Sequence, residues 1–283
     1  MNELADDMTM PVERTSSVVY RIRQDDRVDE LSEFFDDLTV IGGGGSSVVY
    51  RGRSNERTVV VKLISPGHPW KREVAMLTHV QENTAYPVGH FEVLRLRSGR
   101  VALVLEWLGD DWVVLDRLVG RLNGDEVATL TAELFSAVAL LHADGIYHRD
   151  IKPPNILFNR TLGKTRLIDF GVACRSRDRA VGCSGRTFVG TPTFMPLRLL
   201  RSGSDAGSAR LQDLWGVAAT LFNAVTGMTL YQNADLDTVE QILRVPTREV
   251  LTAAFRNPEW LDWAVSTPGP ASVVERILWS GAD

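Results

Sequence analysis

Apolar residues recur at strand spacing along the first third of the chain and at helix spacing along the middle. Leu38–Ile41, Val48–Arg53 and Thr58–Ile64 are short β-rich runs. Their connections, Gly42–Gly45 and Ser54-Asn55, suit tight turns, so the three predict an antiparallel meander. Lys71–Val80 predicts a helix with Val74, Leu77 and Val80 on one face. Phe91–Leu96 and Val101–Trp107 predict two more strands, joined through Arg97-Ser98-Gly99-Arg100. Beyond Gly109 the pattern predicts mainly helix. Val127, Leu130, Leu134, Val138 and Leu141 form one stripe of a helix over Asp125–Ala143, and Asp213–Val225 is apolar nearly all round, as a buried helix is. Val18–Ile22 predicts one further strand, and the polar residues before it predict a frayed start. Short helices are expected after Gly227, broken by Pro246, Pro258, Pro268 and Pro270. A strand-rich half thus precedes a helix-rich half. The expected organisation is a partly disordered extension over 1–33, a small lobe over 34–108 and a larger lobe over 109–283.

Composition narrows the class without naming it. The 283 residues are 44% hydrophobic and 24% charged, which excludes collagen, coiled coil and wholesale disorder. The net charge of −5 argues against nucleic acid as the main ligand. The start is acidic, and apolar runs such as Val101–Leu105 fall far short of the roughly 20 residues of a membrane span. A soluble, cytoplasmic protein is expected. Cys174 and Cys183 are too few for a disulfide framework or a four-ligand zinc site. They read as two unpaired thiols in a reducing compartment, with a redox switch as the alternative.

Candidate chemistry lies in three places. Gly42–Gly45 sits between two predicted strands, where backbone N–H groups can approach an anion without obstruction, or where a hairpin tip is simply flexible. Lys62 closes the apolar run Val59-Val60-Val61, which aims it away from solvent. Tyr147-His148-Arg149-Asp150-Ile151-Lys152-Pro153-Pro154-Asn155-Ile156-Leu157 follows the amphipathic helix, and Leu167-Ile168-Asp169-Phe170-Gly171 follows a short apolar strand. Asp169 and Asn155 supply the hard oxygens that magnesium takes alongside phosphate. Asp150 can accept a hydroxyl proton, and Lys152 can stabilise a moving phosphoryl group. Singly, each has a plain alternative: Asp150 a turn residue, Asn155 a loop cap, His148 a core histidine.

As an ordered set, these residues resemble the eukaryotic-type serine/threonine protein kinase family, from about Leu38 to at least Gly227. The resemblance implies an α+β, two-lobed fold, with a small antiparallel sheet lobe carrying one main helix and a larger, mostly helical lobe. It implies Mg2+-dependent transfer of the ATP γ-phosphoryl group to Ser or Thr of protein substrates. Gly42, Gly44 and Ser47 match the glycine loop, with Ile41 at its edge, and Val49 the cover of the adenine. Val60 and Leu157 line the adenine site. Lys62 matches the phosphate-holding lysine and Glu73 its helix partner. Leu105 matches the gatekeeper, and Glu106-Trp107-Leu108 the hinge that binds adenine. Asp150 matches the catalytic base, Lys152 the lysine typical of Ser/Thr-directed members, and Asn155 and Asp169 the magnesium ligands. Gly190-Thr191-Pro192-Thr193-Phe194-Met195 matches the substrate-facing loop, and Asp213 the aspartate that braces the catalytic loop backbone. Thr187 matches a regulatory phosphorylation site and Arg149 the arginine that receives its phosphate.

The sequence departs from that pattern in places. Ser47 stands for a glycine and Val60 for an alanine, and Glu73 follows Lys62 by only 11 residues. Arg198 reverses the charge of a glutamate that normally pairs with a later arginine, so it is expected to pair with Glu259, Asp262 or Glu275. Two rival readings are a pseudokinase-like binding scaffold and a small-molecule phosphotransferase. The presence of Lys62, Asp150, Asn155 and Asp169 argues against the first; Lys152 and the Gly190–Met195 loop argue against the second. The substrate, the upstream activator and the oligomeric state are not readable from the sequence.

Overall fold

The computed structural model describes residues 27–45, 47–176, 183, 189–196, 199, 206–230 and 274–278. They belong to two compact units. The first comprises Met1–His68 with Phe91–Trp107, and the second Pro69–His90 with Leu108–Asp283.

Among the described residues, the first unit holds one helix, α1 (Arg27–Ser32), and five strands: β1 (Asp36–Gly44), β2 (Ser47–Ser54), β3 (Arg57–Ile64), β4 (Phe91–Arg95) and β5 (Val101–Glu106). The sheet order is β1-β2-β3-β5-β4, with every pair antiparallel. Because side chains alternate along a strand, the register decides which residues share a face. Lys62 stands opposite Val49 and Leu103, and Val60 opposite Arg51 and Leu105, so Val49, Val60, Lys62 and Leu105 lie on one face. Tyr50, Val61, Leu63 and Ala102 point the other way and bury with Leu31, Phe35 and Leu96.

The sequence pattern does not announce α1, whose Leu31 is fully buried. Polar contacts fasten the helix to the β4–β5 turn. Glu30 accepts hydrogen bonds from the Ser98 backbone N–H (2.7 Å) and hydroxyl, and Arg97 pairs with Glu33 at 2.9 Å. The Ser98 hydroxyl holds the Glu30 carboxyl below the usual carboxylate range. That contribution is present once the carboxyl is ionised and is lost on acidification through its lowered pKa.

The second unit contains α2 (Trp70–Asn83), β6 (Trp112–Val114), α3 (Gly124–Ala143), β7 (Ile146–Tyr147), β8 (Ile156–Asn159), β9 (Lys164–Leu167), β10 (Cys174–Arg175) and α4 (Ala206–Thr226). Residues 274–278 are also helical. β6, β8 and β9 form an antiparallel sheet, and β7 pairs with β10. α3 starts with a capping box: Asn123 Oδ1 accepts from the Glu126 backbone N–H, and the Glu126 carboxylate accepts from that of Asn123, both at 2.9 Å. α3 is also the described helix long and apolar enough to cross a membrane. Here it buries its apolar stripe, Val127, Leu130, Leu134, Val138 and Leu141, in the protein, as its periodicity predicts. α4 is buried nearly all round, with Trp215, Val217, Leu221 and Phe222 fully enclosed.

Two sequence expectations are corrected. The buried face of α2 is Glu73, Met76, Leu77 and Val80, with Val74 only half-buried. The stripe begins at a carboxylate, which a hydrophobicity pattern passes over. The two cysteines are not free thiols. Cys174 and Cys183 form a disulfide, with Cα atoms 5.0 Å apart, packed beside Ala209 and Tyr147. The pairing of β10 with β7 holds Cys174 where the returning chain can reach it, and spacing alone does not reveal that. The strand expected at Val18–Ile22 and the helices expected over 231–273 lie outside the described residues.

Closing a loop of this length removes roughly 2–3 kcal/mol of unfolded-state entropy. Cys183→Ser is therefore expected to lower the melting temperature by roughly 4–12 °C, at about 2–4 °C per kcal/mol. Scanning calorimetry of the oxidised protein and the variant checks this. An unchanged midpoint would show that the cross-link contributes nothing to stability.

Candidate active site

In the first unit the functional residues follow from sheet register. β1 and β2 pair through Gly42↔Val49 and Gly44↔Ser47, and a bulge between Val40 and Gly42 sets Ile41 at the edge of the turn. A Cβ placed on Gly42 or Gly45 would meet nothing within 4 Å, so the turn is open to a ligand's approach. Ser47 is buried, and its small side chain fits the site where a third glycine was expected. Lys62 is only 7% exposed, in the middle of β3. Leu105 is half-buried and Glu106 exposed; Trp107 follows, with the Arg51 guanidinium stacked 4.9 Å from its ring centre.

In the second unit the turn between β7 and β8 carries the candidate catalytic residues. Arg149 has φ +65°, a conformation that side chains other than glycine adopt rarely. A buried carboxylate holds it there. Asp213 Oδ1 accepts the Arg149 backbone N–H at 2.6 Å, and Oδ2 accepts the His148 backbone N–H at 2.9 Å and faces His142 Nε2 at 2.8 Å. Gly216 lets α4 come this close, since a Cβ there would sit 3.0 Å from the Ile151 carbonyl oxygen. The Arg149 guanidinium donates to the Val172 carbonyl. Burial pushes its pKa down to about 10, with the Arg72 charge adding to that and Asp213 opposing it, so it stays cationic at neutral pH.

Asp150 lies at the centre of a closed set of hydrogen bonds. Its Oδ1 accepts from the Thr191 hydroxyl at 2.8 Å. Its Oδ2 accepts from Lys152 Nζ and Asn155 Nδ2, each at 2.9 Å. Lys152 also donates to Thr191 Oγ1 at 2.6 Å. An ionised carboxylate offers about four lone-pair positions, so three donors leave room for one more, such as an acceptor hydroxyl. Asn155 spends its amide N–H2 on the Asp150 carboxylate and carbonyl, which leaves its Oδ1 as the available oxygen. The Asn155 carbonyl accepts from the Ile168 N–H at 2.9 Å, so Asp169 follows directly beside it. Asp169 has φ +68°, and its Oδ1 accepts from the Gly171 N–H at 3.2 Å. A Cβ on Gly171 would lie 3.1 Å from that oxygen and 3.5 Å from Glu73 Oε2, so the turn needs glycine and the Glu73 carboxylate borders it. Leu157 is half-buried in β8, and Leu108 is half-buried just before Gly109.

Two neighbours, Tyr86 and Gln212, escape a sequence reading. The Tyr86 hydroxyl accepts from the Leu167 N–H at 2.6 Å and donates to its carbonyl at 3.3 Å, and its ring meets Phe170 edge-on. Burial pushes the Tyr86 phenol well above its ordinary pKa. Gln212, next to Asp213 on α4, reaches the loop after β7. Neither stands in a local pattern that would mark it. His148 is fully buried and donates from Nε2 to the Ile168 carbonyl at 3.1 Å, as the core-histidine alternative has it. Thr187 and Arg198, with Glu259 and Asp262, lie outside the described residues; Glu275 is exposed.

Asp213→Ala would leave the two backbone N–H groups without their buried acceptor, at about 1–3 kcal/mol each. The His148 and Arg149 amides are expected to exchange with solvent at least tenfold faster, in native-state hydrogen exchange, than amides elsewhere in the unit accelerate. A uniform acceleration would mean that Asp213 stabilises the unit without bracing this turn.

Comparison with known proteins agrees with this geometry. The family model described as "Protein kinase domain" matches residues 35–271. The CBL-interacting protein kinase 22 of Oryza sativa subsp. japonica is 36% identical over 199 residues, covering 67% of this chain and 41% of the relative. The CBL-interacting serine/threonine-protein kinase 18 of Arabidopsis thaliana is 29% identical over 193 residues, covering 68% and 34%. The CBL-interacting serine/threonine-protein kinase 26 of Arabidopsis thaliana is 27% identical over 228 residues, covering 78% and 48%. The chain spans about a third to a half of the length of these relatives. Its sheet unit, its helical unit and the loop that α4 holds are accounted for together: the chain belongs to the eukaryotic-type serine/threonine protein kinase family.

Proposed function

We propose that this chain transfers the γ-phosphoryl group of ATP to serine or threonine hydroxyls of protein substrates, with Mg2+ as the cofactor. The observation that carries the proposal is the set Asp150–Lys152–Asn155–Thr191, in which one carboxylate is oriented by three donors and still has an acceptor position. Asp150 accepts the proton of the substrate hydroxyl as its oxygen bonds to phosphorus. Lys152 places a positive charge beside the transferring group. The bond between the γ-phosphorus and its bridging oxygen breaks, and the diphosphate leaves as ADP with the electrons of that bond. Most of the rate comes from orientation and fixed charge.

The residues suit the cofactor and the nucleotide. Asn155 Oδ1 and the Asp169 carboxylate are hard oxygens on neighbouring backbone, a protein share typical for Mg2+, which keeps phosphate and water as its other ligands. Bound there, the ion would neutralise phosphate charge. The open glycine turn at Gly42–Gly45 and the buried ammonium of Lys62 suit a polyphosphate. Val49, Val60 and Leu105, on the same face as Lys62, offer an apolar surface for a base. Glu73, Glu106, Leu108 and Leu157 keep the roles that the resemblance to the family implies. Thr187 is proposed as a phosphorylation site and Arg149 as the group that receives its phosphate.

Asp169→Asn is expected to abolish transfer from γ-labelled ATP to a degenerate Ser/Thr peptide library while leaving the melting temperature nearly unchanged. Lys62→Met is expected to reduce turnover by about 10²–10³, the usual loss on removing one preorganised charge. Near-normal turnover in Asp169→Asn would refute the assignment. Thr187→Ala with full activity would remove Thr187 from control and leave the chemistry intact.

A further inference from the structure

Gln212 carries an arrangement that the proposed chemistry leaves unexplained. It is 2% exposed, on α4. Its Nε2 donates to the carbonyl of Arg149 at 2.7 Å and to the carbonyl of Val189 at 2.8 Å. One carbonyl belongs to the peptide that leads into Asp150, and the other to the peptide that leads into Gly190 and Thr191. Those are the segments whose side chains meet in the Thr191–Asp150 hydrogen bond.

The chemistry of the contact is selective. Two carbonyl oxygens that converge in a buried place repel each other and need donors. A primary amide supplies two hydrogens from one nitrogen, with no net charge. The reverse orientation of the amide would set its oxygen against both carbonyls, so the donor assignment follows from the partners. Gln212 Oε1 is buried with no hydrogen-bond partner among the described residues. An orphaned amide oxygen costs free energy, so the side chain is held in place by what its nitrogen does. The approach is tight on the other side too: Gly190 has φ +104°, and a Cβ there would fall 2.3 Å from the Arg149 carbonyl oxygen and 2.9 Å from Gln212 Nε2. Asp213 takes the Arg149 N–H while Gln212 takes the Arg149 C=O, so adjacent residues of one helix satisfy both polar groups of that residue.

We propose that Gln212 is a positioning residue for transfer to peptide hydroxyls. It clamps the Arg149 and Val189 carbonyls together and so fixes the substrate-facing Gly190–Met195 segment against the catalytic loop, holding Thr191 on Asp150. The proposal rests on the protein kinase reading above. It predicts that loss of the clamp impairs peptide transfer and leaves the handling of ATP intact.

The test uses the full chain, γ-labelled ATP and a degenerate Ser/Thr peptide library. Gln212→Met keeps the length and removes both hydrogens. Its kcat for peptide is expected to fall about tenfold or more, the scale of two lost hydrogen bonds, with the KM for ATP unchanged. Gln212→Glu has a hydrogen to offer only when its carboxyl is neutral. Its activity relative to wild type is expected to be low near about pH 8 and to rise several-fold toward about pH 5.5, where a buried carboxyl begins to protonate. Dividing by wild type at each pH isolates the substitution from the charged and titratable groups around the clamp, Arg149, Asp150, Lys152, Asp213 and His142. Full kcat in Gln212→Met overturns the proposal, as does a parallel loss of kcat and ATP affinity, which marks a purely structural residue. If Gln212→Met does not fold, the Gln212→Glu profile decides: a flat ratio across pH overturns the clamp. Wild-type protein that phosphorylates no peptide would overturn the kinase reading itself, an outcome distinct from active wild type with an indifferent Gln212→Met.

Discussion

One buried carboxylate, Asp213, underlies the geometry of the second unit. It is 1% exposed and collects the backbone N–H groups of His148 and Arg149 and the ring of His142. A charge so deep is tolerated only because donors surround it. In return it stabilises a turn that the chain would otherwise avoid, since Arg149 sits at positive φ. Hydrogen bonds to a charged acceptor contribute about 1.5–3 kcal/mol each, enough to offset the strain of one residue. The helix that carries Asp213 is buried nearly all round over its described residues, with Trp215, Val217 and Ala218 fully enclosed beside the carboxylate.

From that anchor the rest of the site is assembled by backbone continuity and short polar contacts. Asp150 follows Arg149 directly. Asn155 binds Asp150 through its amide, and the Ile168 N–H through its carbonyl, which joins the β7–β8 turn to the Asp169 turn. Tyr86 and His148 hold the approach to Asp169 from two elements, taking the peptide groups of Leu167 and Ile168. The Cys174–Cys183 disulfide and the β7–β10 pairing tie the chain after Gly171 to the strand that opens the same turn. Two residues with positive φ, Arg149 and Asp169, thus stand in the candidate site, the first held through Asp213 and the second accepting from the Gly171 N–H.

The first unit works on a simpler principle. Alternation along β2, β3 and β5 sends Tyr50, Val61, Leu63 and Ala102 into a core completed by α1, and Val49, Val60, Lys62 and Leu105 to the opposite face. The open glycine turn at the end of the same strands presents N–H groups without side chains.

The sequence alone determined what depends on local period and on ordered motifs. The five strands of the sheet, the amphipathic α3 and the enclosed α4 are legible because neighbours a few residues apart share an environment. Lys62, Asp150, Lys152, Asn155 and Asp169 are legible because their residue types and order narrow the chemistry. Tertiary structure decided what depends on partners distant along the chain. Leu31 is a core residue only because the sheet offers it a face. Glu73 joins the buried side of α2 beside the Asp169 turn, against its polarity. Cys174 meets Cys183 through the pairing of β10 with β7, and Tyr86 reaches Leu167 across 81 residues. Gln212 finds two carbonyls that are 40 residues apart from each other. A hydrogen bond or a cross-link needs atoms within a few ångströms, and no local pattern records which distant atoms the folded chain brings that close.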